Sequence, residues 1–367
     1  MSSTWGERIK ISIFGGSHTA GIGVTVDGLP AGEKIDMDEV LLQMSRRAPG
    51  QDPAATRRKE GDIPEIQCGI NEKGILTGEP LCAVIKNTNQ RSKDYSQLAV
   101  KPRPGHADYT AYVKYNANND IRGGGHFSGR LTAPLVFAGA VCRQILSRRG
   151  IEIGAHAEEI GNVRDVAFCP EKIEADILRQ LNREYFSVLD NAQKQKMYDC
   201  IEAARMDGDS VGGIVECAVT GLPVGLGTPM FGGVENKLSS IIFGIPAVKA
   251  VSFGAGFEAA RLRGSENNDA FYYDESGSVK TETNNSGGIL GGITNGMPVI
   301  FHVGIKPTAS VSAEQNTVNL ETGKNDKLQI TGRHDPCILP RAIPVVEAAA
   351  AIAILDLWMI KGENHND

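Results

Sequence analysis

A strand-and-turn pattern that occurs twice limits what this 367-residue chain can fold into. The extended, β-rich stretch Gly23–Asp27 ends in the sequence GLPAG at 28–32, and Gly213–Thr220 ends in GLPVG at 221–225. Glycine and proline mark tight turns, so each segment is predicted to be a strand followed by a sharp bend. The repeat indicates two halves related by approximate internal duplication.

Each half also contains one long apolar segment with helical spacing. Arg130–Ser147 has Pro134 near its start, and Arg341–Met359 has Pro344 near its start. Proline is well placed in a first helical turn, where its missing N–H has no partner to lose. Each half is therefore predicted to supply several strands and one long, buried helix.

The candidate strands are short and bounded by Gly and Asn, and they do not alternate strictly with helices. This pattern favours a layered α+β fold over a doubly wound parallel sheet. We predict a single domain over residues 1–367. Its approximate halves, 1–160 and 210–360, are joined by a helical segment at 170–205.

Composition excludes several classes of protein. The chain is 41% hydrophobic and 22% charged, which is ordinary for a soluble globular protein. The longest apolar runs, Leu131–Cys142 and Val345–Leu357, fall short of the ~18 residues of a membrane-spanning helix and are predicted to be core helices. The first ten residues show no secretory signal. We therefore expect a cytoplasmic protein that does not bind membranes.

The seven cysteines are scattered, odd in number and without a C-x-x-C pair. Such a pattern predicts neither a disulfide framework nor a metal site. We expect reduced thiols that pack as small hydrophobic groups.

Charge is unevenly distributed along the chain. The net charge of −6 argues against a general nucleic-acid binder. Yet Arg46–Lys59 holds five basic residues and one acid, Asp52. After a short helix that Asp36 or Asp38 caps, Arg46–Glu60 is predicted to be a mobile, charged loop. It is either a solvated face or a site for a small polyanion.

Glycine and polar residues concentrate in the segments Phe14–His18, Arg103–Arg130 and Lys306–Arg341. His18 follows a predicted strand end, where backbone N–H groups could receive an anion and the imidazole could protonate a leaving group. The alternative is that His18 is a loop histidine with no catalytic or binding role. Gly123–Gly125, beside arginines, allow the backbone to approach a bulky ligand. The stretch fits neither a P-loop nor a Rossmann fingerprint.

Several separated motifs, in the correct order, resemble chorismate synthase. They are FGGSH at 14–18, NT at 87–88, QRS at 90–92, RPGHAD at 103–108, GGGHFSGR at 123–130, 287–292 and GRHDP at 332–336. The match runs from about Ile9 to Leu357, which is nearly the whole chain.

The resemblance implies a β-α-β sandwich with a helical layer between two sheets. It implies a lyase that converts 5-enolpyruvylshikimate 3-phosphate to chorismate and phosphate by a 1,4-anti elimination, in the shikimate pathway of aromatic amino acid synthesis. Reduced FMN is the implied cofactor, and NADPH enters only if the chain itself reduces the flavin. The implied assembly is a homotetramer.

Matching positions imply roles for particular side chains. His18 would protonate the departing phosphate, His106 would stabilise or protonate the reduced flavin, and Asp335 would act with flavin N5 in removing the ring proton. The implied substrate-binding residues are Arg47, Arg103, Arg130 and Arg341. The implied FMN-binding residues are His126, Phe127, Ser128, Pro246, Ala247, Gly291, Lys306, Pro307, Thr308, Ala309, Ser310 and Arg333. A phosphate and two carboxylates carry about −4, so several arginines in an acidic chain suit that ligand.

This chain departs from the family pattern at a few positions. They are Gly16, Thr19, the pair His126-Phe127, Leu131 and Pro53, where Glu, Gly, Arg-Ser, Glu and a basic residue are usual. The three implied catalytic positions are unchanged, which favours a divergent but active branch.

Two other classes of function compete with the lyase. A flavin oxidoreductase could use the same pocket, but the chain has no nicotinamide fingerprint. A non-catalytic polyanion-binding or RNA-binding module could be built on Arg46–Lys59. The net charge of −6 and the absence of aromatic residues among these arginines disfavour it.

Overall fold

The computed structural model describes residues 3–50, 61–88, 98–330 and 335–363. The strands of this part are β1 (Thr4–Trp5), β2 (Lys10–Gly15), β3 (Gly21–Asp27), β4 (Pro64–Cys68), β5 (Leu81–Lys86), β6 (Glu152–Ile160), β7 (Val163–Arg164), β8 (Gly213–Thr220), β9 (Val248–Phe253), β10 (Phe271–Tyr273), β11 (Val279–Thr281), β12 (Ile289–Leu290), β13 (Ile293–Thr294), β14 (Val299–Ile305), β15 (Gln315–Asn319) and β16 (Lys324–Leu328). The α-helices are α1 (Met37–Arg47), α2 (Asp108–Lys114), α3 (Thr132–Ser147), α4 (Ala175–Leu181), α5 (Asn191–Met206), α6 (Val234–Ile242), α7 (Gly264–Asn267) and α8 (Leu339–Glu363).

The first large sheet has the order β1-β2-β3-β5-β4, and its neighbours pair antiparallel. Successive side chains of a strand point to opposite faces, and β5 accordingly buries Leu81, Ala83 and Ile85. Strands β2 and β3 form a hairpin, with Phe14 opposite Gly23. The bend between these two strands carries His18.

The second large sheet has the order β7-β6-β8-β14-β9 and is also antiparallel. Strand β6 belongs to this sheet, so the change from the first sheet to the second falls before Glu152. The predicted single domain and its division at 160 and 210 stay predictions. The segment predicted as helical at 170–205 contains two helices, α4 and α5.

A helical layer lies between the two sheets. Helix α3 contacts β2, β3 and β5 of the first sheet, whereas α8 packs on β6 and β8 of the second. The two helices also pack extensively on each other, and Gly139 of α3 lies against Ala348 of α8. The predicted α+β fold, a sandwich with a helical layer between two sheets, is confirmed.

The expectation that the apolar run around Val345–Leu357 falls short of a membrane-spanning length is wrong, because α8 extends beyond it on both sides. Within the described residues, Leu339–Gly362 is the one stretch long and apolar enough to cross a membrane, with a mean hydropathy of 2.0 over its best window. That window is 83% buried inside the protein. Its carboxylates are buried with polar partners: Asp356 accepts from the backbone N–H of Ile9 at 2.9 Å, and Glu347 pairs with Arg46 at 2.5 Å. The helix is the core helix that the sequence predicts.

The prediction of a mobile loop beginning at Arg46 is wrong. Asp36 caps α1 through a hydrogen bond from the Asp38 N–H, as predicted, but the helix extends to Arg47. Arg46 and Arg47 are both buried. A buried guanidinium needs an opposite charge, and Glu347 and Asp62 provide it. Residues 51–60 lie outside the described part of the chain.

All seven cysteines are free thiols. Cys142, Cys217 and Cys337 are buried, and burial raises the pKa of the Cys337 thiol to about 12. Cys68 and Cys169 are exposed, so the expected hydrophobic packing holds for only part of the set.

Candidate active site

Two histidines approach one glycine turn. Gly123, Gly124 and Gly125 have φ values of 62°, 103° and 53°, a left-handed conformation that favours glycine. A Cβ at Gly123 would overlap the His18 ring, and a Cβ at Gly124 would lie 3.4 Å from His106 Nε2. The turn therefore lets both imidazoles come against bare backbone, and it brings the two predicted catalytic histidines together.

The hairpin bend orients His18, which is buried. The Ser17 hydroxyl donates to the Arg122 carbonyl at 3.2 Å and lies 3.0 Å from His18 Nδ1. Because a hydroxyl has one proton, Ser17 accepts from a protonated Nδ1 in this arrangement. The Asn87 amide holds the same bend by donating to the carbonyls of Gly16 at 3.0 Å and Thr19 at 2.9 Å.

His106 belongs to a second group of charged side chains. Its Nδ1 donates to Asp108 Oδ1 at 2.6 Å, and Arg103 donates to both carboxylate oxygens of Asp108, at 2.7 and 2.8 Å. Burial alone would raise the pKa of Asp108, but the hydrogen bonds and charges of Arg103 and His106 hold it well below its usual range. Asp108 thus stays ionised and orients both partners.

The segment Lys306–Ser310 lies beside this group. The Lys306 ammonium donates to the carbonyl of Gly105, and Arg103 Nη1 donates to Ser310 Oγ at 3.3 Å. Lys306 and Ser310, two of the predicted cofactor residues, therefore contact the loop that carries His106.

Three further arginines meet where α1, the start of α3 and the start of α8 come together. Asp62 pairs with Arg47 at 2.5 Å through one carboxylate oxygen and with Arg130 through the other. Arg341 pairs with Asp335 and donates from Nε to the Arg47 carbonyl at 3.0 Å. All four predicted substrate-binding arginines thus pair with an aspartate of the chain.

One amide connects the arginines with the histidines. Arg130 Nε donates to Asn87 Oδ1 at 3.1 Å, while the amide nitrogen of Asn87 holds the bend of His18. Hydrogen bonds, ion pairs and close approaches at the glycine turn therefore link the predicted catalytic and substrate-binding residues into one polar network.

The remaining predicted cofactor residues are placed as follows. Ala247, at φ 74°, accepts a hydrogen bond from the Lys306 N–H at 3.0 Å, and its neighbour Pro246 lies in the same turn. Ser128 Oγ accepts from the Arg130 N–H at 3.2 Å. Gly291 lies in the turn between β12 and β13, where an added Cβ would meet no described atom within 4 Å. Pro307 is exposed, Ala309 lies near Gly105, and Arg333 lies outside the described residues. Pro53, one of the departures from the family pattern, lies outside them as well.

His126, which stands where the family pattern has arginine, is held by hydrogen bonds to other parts of the chain. His126 Nδ1 lies 2.8 Å from the Gly15 carbonyl, and Nε2 lies 2.6 Å from Ser3 Oγ. Both ring nitrogens thus bind the protein itself. The Phe127 ring lies 6.3 Å from that of Tyr115.

Sequence reasoning missed the roles of Asp62, Asp108 and Asn87. A usable signal existed for the aspartates, since a cluster of arginines that becomes buried needs carboxylates nearby. Asp62 comes shortly after the basic stretch, and Asp108 comes two residues after His106. Asn87 had no such signal, because its three hydrogen bonds depend on how the end of β5, the β2–β3 bend and Arg130 come together.

A layered α+β fold that brings histidines and arginines into one polar network is typical of an enzyme that acts on a small molecule. The family model described as chorismate synthase matches residues 9–359. Chorismate synthase of Dehalococcoides mccartyi is 46% identical over 362 residues, which cover 99% of this chain and 98% of that protein. The enzyme of Lancefieldella parvula is 45% identical over the full length of both proteins.

A solved structure, titled "Crystal Structure of Chorismate Synthase", matches with a TM-score of 0.74 at 25% sequence identity. The match covers 97% of this chain and 93% of the chain in the solved structure. The chain belongs to the chorismate synthase family. As an enzyme of this family it has the role of a lyase that forms chorismate.

Proposed function

We propose that this chain converts 5-enolpyruvylshikimate 3-phosphate to chorismate and phosphate by a 1,4-anti elimination that requires reduced FMN. The network that joins His18 and His106 with the four arginines carries the proposal. A substrate of about −4 charge needs several cations, and guanidinium groups bind phosphate and carboxylate bidentately. Arg47, Arg103, Arg130 and Arg341 are the proposed substrate-binding residues.

The histidines and Asp335 take distinct roles in this proposal. His18 protonates the leaving phosphate oxygen, which lowers the cost of bond cleavage. Asp335, oriented by its ion pair with Arg341, takes part in removal of the ring proton. His106, oriented by Asp108, faces the flavin.

The residues present fit a flavin with a phosphate tail. Thr308 Oγ1 is buried and has no hydrogen-bond partner among the described residues. A polar ligand atom could form the missing hydrogen bond. The nearby Lys306 ammonium offers a cation. Reduced FMN supplies an electron-rich ring on which this redox-neutral elimination depends. If the chain reduces its own flavin, NADPH is the proposed reductant.

We also propose that the chain works as a cytoplasmic homotetramer that binds neither membranes nor nucleic acid. Large exposed aromatic side chains between β8 and β14 support self-association, with Phe231 and Phe257 being 84% and 81% exposed. Strand β10, with the sequence Phe-Tyr-Tyr, is exposed as well.

The test is an anaerobic assay with photoreduced FMN and 5-enolpyruvylshikimate 3-phosphate, in which phosphate release and chorismate absorbance are followed together. We expect both products in equal amounts, and none with oxidised FMN. Net oxidation of flavin coupled to substrate would instead identify an oxidoreductase. Failure of reduced FMN and substrate to bind would contradict the proposal.

A further inference from the structure

Asp62 is a buried carboxylate to which the proposed function assigns no role. It lies just before β4 with φ 46°, a left-handed conformation that aspartate tolerates better than most residues. Its side chain is fully buried, and the side chains of Arg47 and Arg130 are each 4% exposed. One oxygen binds each guanidinium, so Asp62 bridges the two arginines.

The two arginines would repel each other without this bridge. Burial lowers the pKa of Arg47 to about 10, the nearby positive charges of Arg341 and Arg130 oppose its protonation further, and Asp62 counteracts these effects. Burial would raise the pKa of Asp62, yet the two guanidiniums outweigh it and hold that pKa below its usual value. The carboxylate is therefore ionised while the cations are in place.

Within the described residues, the other hydrogen-bond acceptors of the two guanidiniums are neutral. Arg47 donates to Thr132 Oγ1 at 3.0 Å and to the Gly129 carbonyl at 3.3 Å. Arg130 donates to Asn87 Oδ1 at 3.1 Å. These contacts orient each arginine separately, whereas Asp62 also cancels the repulsion between them. Exposing Asp62 to water would require both ion pairs to break.

We propose that Asp62 is a positioning residue that joins the guanidiniums of Arg47 and Arg130 into one binding unit for an anionic group of the substrate. The inference rests on the proposed function, because it gives these arginines the substrate as a ligand. Asp62 itself does not touch the reacting atoms. Its effect is exerted through the spacing and orientation of the two cations.

Two substitutions separate this role from simple stabilisation. Asp62→Asn keeps the size and tolerates the left-handed backbone but loses the charge. Asp62→Gly also tolerates φ 46° and leaves a space between the arginines that formate can fill. The matched control is Asp176→Asn, which removes the same charge from an exposed pair with Arg179.

For Asp62→Asn, we expect KM for 5-enolpyruvylshikimate 3-phosphate to rise at least about tenfold, with a smaller change in kcat. For Asp62→Gly, added formate should restore part of the lost kcat/KM and should leave the wild type and Asp176→Asn unaffected. A tighter substrate complex in Asp62→Asn would overturn the proposal, because Asp62 would then compete with the substrate. Folded Asp62→Gly enzyme that formate does not rescue would overturn it too.

A measurement without turnover keeps this inference separate from the proposed function. Formate should raise the Tm of Asp62→Gly by several degrees more than that of Asp176→Asn, since it restores the missing anion between two buried cations. Inorganic phosphate, measured by calorimetry, should bind more weakly to Asp62→Asn than to the control. If both results hold while the anaerobic assay yields no chorismate, the arginine unit stands and the proposed reaction falls. Equal phosphate affinity in Asp62→Asn and Asp176→Asn would contradict the proposed role of Asp62.

Discussion

At the scale of single residues, aspartates organise the cations of the site. Asp62, Asp108 and Asp335 pair with all four arginines of the network. A buried charge without a partner is costly, and pairing it fixes its geometry as well as its energy. The arginines are therefore held in place by the protein's own anions, and one of these arginines, Arg103, is tied to His106 through Asp108.

Removing either histidine should slow the reaction strongly. We expect His18→Ala and His106→Ala to lower kcat by roughly 10²–10⁴-fold, the range for a lost general acid or base. Anaerobic stopped-flow measurement of chorismate formation checks this. His302→Ala, on β14 and paired with Glu158, serves as the control and should keep normal turnover. A full rate in either site variant would show that the assigned role is wrong.

At the scale of elements, the glycine turn lies directly against His18, one of the proposed catalytic residues. Gly123→Ala should reduce kcat/KM by at least about tenfold, because a 1 Å displacement of a catalytic group is already costly. The new Cβ would overlap the His18 ring, and the backbone at φ 62° disfavours alanine. Steady-state kinetics measures the effect.

Gly129→Ala is the matched control for the turn. A Cβ there would meet no described atom within 4 Å, and its φ is not in the left-handed region. This variant should keep the wild-type kcat/KM. Equal losses in both variants would mean that the region tolerates no change of any kind, and the steric argument for Gly123 would fail.

The contact between α3 and α8 is a second element-scale feature. A Cβ at Gly139 would overlap Ala348 of α8, so Gly139→Ala forces the helices apart. Overpacking of this kind costs about 1–3 kcal/mol, and the better helix propensity of alanine returns up to about 1 kcal/mol. Urea unfolding should therefore show a net loss of stability. Gly264→Ala, where a Cβ would meet nothing within 4 Å, should not lose stability.

At the scale of the whole molecule, the second sheet carries a charged row across its strands. His156, Glu216 and His302 occupy paired positions on β6, β8 and β14. His156 lies 2.7 Å from Glu216 and 3.0 Å from Asp165 through its two ring nitrogens, and His302 lies 2.8 Å from Glu158. Burial alone would lower the pKa of both histidines, but these carboxylates raise it above the usual value.

This row predicts how stability depends on pH. A histidine whose pKa is raised in the folded state stabilises the protein fully below the unfolded value of about 6.5, and this contribution is lost as pH rises through the folded pKa. The free energy of unfolding should therefore fall as the pH is raised from 6.5 through that pKa. Urea titrations of the wild type and His156→Gln test this, since the variant should show a smaller slope. An unchanged slope would contradict the assignment.

Much of the fold could be predicted because it depends on local patterns. The hairpin β2–β3, strand β8 and helices α3 and α8 follow from short-range periodicity, glycine turns and well-placed prolines. The end of α1 could not be predicted in this way. From the sequence, Arg46 and Arg47 are typical of an exposed loop. They can be buried in a helix because Glu347, which is far along the chain, neutralises Arg46, and Asp62, which follows the basic stretch, neutralises Arg47.

The sequence by itself determined the glycine turns, the order of the motifs and the histidines and arginines that a polyanion requires, because these properties belong to short segments. The tertiary structure alone decided which carboxylate neutralises which arginine and that Gly123 and Gly124 bring His18 and His106 to one place. The physical reason is that the energy of a buried charge or a close approach depends on distances between segments. Those distances are set only when the two sheets close around the helical layer.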